Sequence, residues 1–169
     1  MAHVQANDVP IARLIGFEAK EIADGRAVVT LAAGRQHANP MGTLHGGVLC
    51  DIADAAMGMA FASTLAPGES FTTIELKINF FRPVWEAHLR AEGKVVRRGS
   101  TIGYVECEIT DESGRLISKA SSSVAVAMKS HLAAQDFVQR LWRARAGGVH
   151  RRDAQAALAR QASWRSRWS

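Results

Sequence analysis

The chain has 169 residues, 47% of them apolar and 22% charged, which suits one soluble globular domain and excludes disordered and membrane-embedded classes. No apolar run approaches the ~20 residues that span a bilayer, and two cysteines, Cys50 and Cys107, make neither a disulfide framework nor a zinc site. The net charge of +5 is local: residues 1–130 hold 13 Lys/Arg against 14 Asp/Glu, whereas residues 131–169 hold 8 Arg against 2 Asp, so the basic balance is weak support for a nucleic-acid partner.

Met1 to Asp8 lack the basic stretch and apolar core of a signal peptide, and a reducing cytoplasm is the expected location. Asp8-Val9-Pro10 followed by Ile11, Leu14 and Ile15 reads as a short capped helix ended by Gly16. Arg26 to Ala32 reads as a strand entered through a turn at Asp24-Gly25. His37 to Thr43 is rich in turn formers, without periodicity, and reads as a loop. Leu44 to Thr64 repeats Val48, Leu49, Ile52, Ala53, Ala56, Met59, Ala60 and Ser63 at helical spacing. Its many small residues predict an amphipathic helix lying close against a sheet. Four strands follow: Thr72 to Phe80, His88 to Arg97, Gly103 to Thr110 and Arg115 to Met128, joined by short turns such as Asp111 to Gly114.

Helix, strand, long helix and four sequential strands predict an α+β fold in which an antiparallel sheet wraps around one central helix. Residues 1–130 form that domain. Residues 131–169, with Trp142, Trp164 and Trp168, form a basic Arg/Ala/Trp-containing extension without a sustained strand or helix pattern.

The chemistry is concentrated in His37-x-Asn39-x-x-Gly42-x-x-His45-Gly46-Gly47, with Asp54 nine residues after His45. Glycines at a helix start let a ligand approach the backbone with no Cβ in the way. The first-turn N–H groups have no partner inside the helix and sit at its positive end. That arrangement polarises a carbonyl and holds the oxyanion of a tetrahedral intermediate. Asp54 stands among Ile52, Ala53, Ala55, Ala56 and Met57, surroundings ill suited to a solvated charge. The plainer alternative is a polar helix stripe that Asp54 shares with Asp51. Eight residues from Gly46 to Asp54 span about 12 Å along a helix, too far for one carbonyl carbon to meet both. If both act on one substrate, a second copy of the helix must supply one of them across a two-fold axis.

This pattern resembles the hotdog-fold acyl-CoA thioesterases of the PaaI-like, phenylacetate-pathway group, over about Ile11 to Met128. The resemblance implies a hotdog fold, a dimer or dimer of dimers, and hydrolysis of an acyl-CoA, with no metal and no cofactor beyond the coenzyme A of the substrate. It implies Asp54 as base or nucleophile and the Gly46 N–H as carbonyl donor, with Gly47 beside it. It also implies that Asn39 and His45 orient thioester and water, and that Thr73, where several members have Ser, steadies the attacking water.

Arg82, Arg97 and Arg98 suit CoA phosphates, because a guanidinium binds them in a bidentate way; solvated strand ends are the plainer reading. Cys50 and Cys107 read as small packed hydrophobes. An aromatic or medium-chain acyl group fits the small residues Ala53, Gly58 and Ala62. Two rivals are a hotdog dehydratase or hydratase, whose His followed closely by Pro-Gly is absent, and a non-catalytic acyl-CoA sensor. The sensor would need a DNA-reading helical domain that residues 131–169, interrupted at Gly147-Gly148, supply poorly.

Overall fold

Pro10–Ile15 forms helix α1, with proline in its first turn and Gly16 in the left-handed region at φ 85° behind it. The structure, a computed structural model, describes residues 9–128; the expectations for Met1 to Asp8, for the boundary at 130 and for the 131–169 extension lie outside the described residues. Strands β1 (Phe17–Ala23) and β2 (Arg26–Ala33) follow, then a 3-10 turn at Arg35–His37 and the long helix α2 (Gly46–Ala62). Strands β3 (Glu69–Phe80), β4 (Ala87–Arg98), β5 (Ile102–Thr110) and β6 (Leu116–Met128) complete the order.

Every strand pair is antiparallel, in one six-stranded sheet ordered β1-β2-β4-β5-β6-β3. This is the α+β architecture expected, with one correction. Phe17–Ala23 is a strand that the sequence reading passed over. A bulge between Ala19 and Glu21 breaks its alternation, and Glu, Lys and Ala are weak strand formers. Pairing with β2 holds it in place despite that composition.

Helix α2 buries Leu49, Ile52, Ala53, Ala56, Met57, Ala60 and Phe61 and rests chiefly on β4 and β2. The close approach depends on Gly93 of β4, where a Cβ would lie 2.4 Å from the Ala56 carbonyl oxygen. Inward residues of the sheet (Val29, Leu31, Leu89, Ala91, Val105, Cys107, Ile109) complete the core. Cys107 packs as expected, and burial pushes its thiol up to about 12. The outer face is ionic instead: Arg26 and Arg90 both pair with Glu92, and Lys119 reaches Glu106 and Glu108.

The β5–β6 turn is held by one buried carboxylate. Asp111 Oδ1 accepts from the Ser113 and Arg115 N–H groups at 3.0 and 2.9 Å and from the Ser113 hydroxyl at 2.7 Å, and Oδ2 accepts from Arg115 Nε at 2.7 Å. The Ser113 hydroxyl first, then the Arg115 guanidinium, holds the carboxyl well below the usual carboxylate range. Because the folded value is depressed, the stabilisation is present above the unfolded pKa of ~3.9 and is lost as pH falls through the folded value. Asp111→Asn should therefore melt several degrees below the parent at pH 7, with the gap narrowing below about pH 4. A constant gap from pH 7 to pH 2, followed by thermal melts, would place the effect in hydrogen bonding alone.

The two sheet edges differ. β1 is short, bulged and carries Glu18, Lys20 and Glu21, a protected edge. β3 runs 12 residues, and Thr72, Thr73, Ile74 and Glu75 are exposed, with Phe80 and Phe81 exposed at its end. A long edge strand carrying apolar side chains and unpaired backbone groups is poorly suited to remain in water.

Candidate active site

The loop before α2 is fixed by its own polar side chains. His37, expected in a flexible loop, is buried: the Gly34 N–H donates to its Nδ1 at 3.2 Å, and its Nε2 donates to the Ile15 carbonyl at 2.8 Å. It thus ties the site loop to the end of α1, which makes it a fastening residue. Asn39 accepts from the Met41 and Thr43 N–H groups at Oδ1 (2.9 and 3.2 Å) and donates from Nδ2 to the Thr43 hydroxyl at 2.8 Å. One N–H of its amide is left for a ligand. The Leu44 N–H donates to the Val84 carbonyl at 2.7 Å, so this loop and the 81–86 loop form one wall.

His45 is the N-cap of α2. Its backbone is extended, and its Nδ1 accepts from the Gly47 N–H at 2.9 Å. This cap selects which donor remains for a ligand. The Gly47 N–H is occupied, while the Gly46 N–H donates to nothing among the described residues. A Cβ at Gly47 would lie 2.9 Å from His45 Nδ1, so glycine there protects the cap.

Beside Gly46 the far end of the Phe80 ring meets the helix start, 3.1 Å from where a Cβ would be. Leu44, Gly46, Leu49, Phe80, Arg82 and Val84 are among the residues lining a cavity of about 310 Å³. An open backbone donor thus faces an apolar pocket with one guanidinium at its rim. The sequence reading did not single out Phe80. The Phe80-Phe81 doublet, which breaks strand alternation just before Arg82-Pro83, was the available signal.

Asp54 does not lie among apolar side chains: it is exposed on α2, and its carboxylate has no hydrogen bond or ion pair among the described residues. It shares a helix stripe with Gly58 and Phe61, which meet Phe71 of β3; the Phe61 and Phe71 rings are 5.3 Å apart. Thr73, two residues along, is exposed on the same face of β3 as Phe71. The neighbouring Asp51 carboxyl is raised, first by burial and then by the Asp54 charge. Since α2 is one unbroken helix, the Gly46–Asp54 separation of about 12 Å persists.

The three arginines separate. Arg82 stands at the pocket, whereas Arg97 and Arg98 end β4 near the other end of α2. Arg98 pairs with Glu69 and lies 5.3 Å over the Phe61 ring, a packed role about 22 Å along the helix from Gly46. Among the described residues no group of three His, Cys, Asp or Glu is placed to hold a metal ion, and no helix is long and apolar enough to cross a membrane.

Residues 41–118, which run from the site loop through α2 and β3 into β6, match the model of the thioesterase superfamily. A candidate esterase of Saccharolobus solfataricus is 36% identical over 113 residues, covering 67% of this chain and 80% of that protein. The chain belongs to the thioesterase superfamily. It is a thioester hydrolase of hotdog fold, and its likeness includes the PaaI-like group. The 1,4-dihydroxy-2-naphthoyl-CoA hydrolase of Listeria monocytogenes is 29% identical over 68% of this chain and 94% of its own. The solved PaaI protein of the E. coli phenylacetic acid degradation operon superposes with a TM-score of 0.67 at 26% identity, covering 73% of this chain and 88% of that one. The thioesterase match extends over His45, Gly46, Asp54, Thr73 and Arg82 but begins after Asn39.

Proposed function

We propose that this thioesterase hydrolyses an acyl-CoA with an aromatic or medium-chain acyl group, at sites built from two copies of the chain. The carrying observation is the free Gly46 N–H at the mouth of an apolar pocket. An acyl carbonyl there gains a charge-developing hydrogen bond while its hydrocarbon contacts Leu44, Leu49 and Phe80. The naphthoyl-CoA named for the Listeria relative favours an aromatic acyl group. Arg82 at the rim suits a CoA phosphate.

Asp54 supplies the other half of the reaction. As a base it removes a proton from water, which attacks the thioester carbon; as a nucleophile it forms an acyl-aspartyl anhydride that water then cleaves. In either route the carbonyl oxygen becomes an oxyanion against the Gly46 N–H, and the C–S bond breaks to release CoA thiolate. Neither route calls on a metal or a cofactor other than substrate CoA. In this reading Thr73 orients the attacking water and the remaining Asn39 N–H orients the ester.

An exposed, unpartnered Asp54 and the open β3 edge both favour a second chain closing over this stripe. Co-refolding Asp54→Ala with Gly46→Pro tests the shared site. Random mixing makes half the dimers mixed, with one of two sites intact, so about a quarter of parental activity should return. Mixed dimers without activity would put both groups in one subunit. The free cysteines, Cys50 and Cys107, suit a reducing compartment.

A further inference from the structure

The buried His37 ring has both of its nitrogens engaged. Nδ1 accepts from the Gly34 N–H, so its lone pair is in use and the ring proton sits on Nε2. Nε2 donates that proton to the carbonyl of Ile15, in the last turn of α1, where helix carbonyls have no partner inside the helix. Neither ring nitrogen is left for an ester or a water.

The His37 backbone continues the connection. Its carbonyl accepts from the His45 N–H at 2.9 Å, and Ala38 bridges Leu44 beside it. His45 is the cap whose Nδ1 takes the Gly47 N–H and leaves the Gly46 N–H open. Hydrogen bonds in series thus join the end of α1 to the residues on either side of the open donor. A donor aimed at a developing oxyanion gains its effect from being fixed beforehand, and about 1 Å of misplacement can cost ~10²-fold. His37 and α1 both precede residues 41–118, so the thioesterase match assigns neither of them a role.

We propose that His37 is a positioning residue of the hydrolysis, which sets the Gly46 N–H against the substrate carbonyl by tying the site loop to α1. The inference rests on Gly46 as the carbonyl donor, as proposed above. Its effect belongs to the transition state, where the oxyanion forms, and so falls on kcat rather than KM.

The test uses the full-length protein and thiol release from benzoyl-CoA or hexanoyl-CoA, whichever the parent turns over faster. Gln at position 37 puts its amide nitrogen near the place of Nε2 and keeps the donor to Ile15. Asn puts its carbonyl oxygen near the place of Nδ1 and is too short to reach Ile15. His37→Asn should lower kcat about tenfold or more with KM within about threefold, and His37→Gln should keep kcat within about threefold of the parent. In Gly46→Pro the donor is already gone, so adding His37→Asn should lower kcat by no more than about twofold. In the parent, ring nitrogen NMR shifts should report the Nε2–H tautomer at His37.

An unchanged kcat in His37→Asn, with only the melting temperature lowered, would reduce His37 to a structural fastening. Equal losses for Asn and Gln, losses that multiply in the double variant, or an Nδ1–H tautomer in the parent would also overturn the inference, and Gly46 would remain the donor. Gly46→Pro as active as the parent would overturn the donor reading and this inference together. Thiol release from neither ester would overturn the proposed substrate class and this inference with it.

Discussion

Asp54→Asn should lower kcat by about 10²–10⁴-fold while leaving the fold intact. Asn matches Asp in size but neither takes a proton from water nor attacks a thioester carbon, so both routes open to Asp54 are closed. The carboxylate makes no hydrogen bond or ion pair among the described residues and lies on the exposed stripe of α2, so no protein partner is orphaned by the change. The removed negative charge should also relax Asp51, whose carboxyl is held up partly by Asp54. Stopped assays at saturating substrate, with thermal melts as a control, measure the effect. Turnover within a factor of three of the parent would remove Asp54 from the chemistry.

Gly46→Pro should cost about 10²–10³-fold in kcat, and Gly46→Ala far less. Proline is well suited to the first position of a helix, and His45 before it is already extended at φ −66°, ψ 129°, as a residue preceding proline requires. Both substitutions add a Cβ that meets the Phe80 ring at 3.1 Å, and that half-exposed ring can give by a few tenths of an ångström. The steric disturbance at Cβ is therefore common to the two variants, and proline alone deletes the N–H. The ratio of their kcat values isolates the donor. Equal, mild losses would assign Gly46 to chain geometry only.

Much of this was legible because it is local. The 3.6-residue repeat and small residues of 44–64 specified a helix pressed on a sheet, and His45-Gly46-Gly47 specified where its free donors begin. Strict alternation in 103–110 specified a strand with one buried face. Phe17–Ala23 was not legible: its bulge erases the period, and only pairing with β2 makes it a strand. Nor does any local feature fix β3 at the far edge beside β6, next to a strand 36 residues or more away in sequence.

The sequence by itself determined the fold class and the helix start with its glycines, and it singled out Asp54 as a candidate carboxylate eight residues beyond Gly46. These depend on periodicity and on backbone chemistry, which residues carry with them along the chain. Tertiary structure decided which groups are free. His45 occupies the Gly47 N–H and leaves Gly46 open, His37 is a buried fastening, and Arg98 is engaged by Glu69 while Arg82 reaches the pocket. Availability depends on what the rest of the chain brings alongside, and Phe80 reaches the Gly46 end of the helix from a strand whose place in the sheet is set by the long-range pairing of β3 with β6.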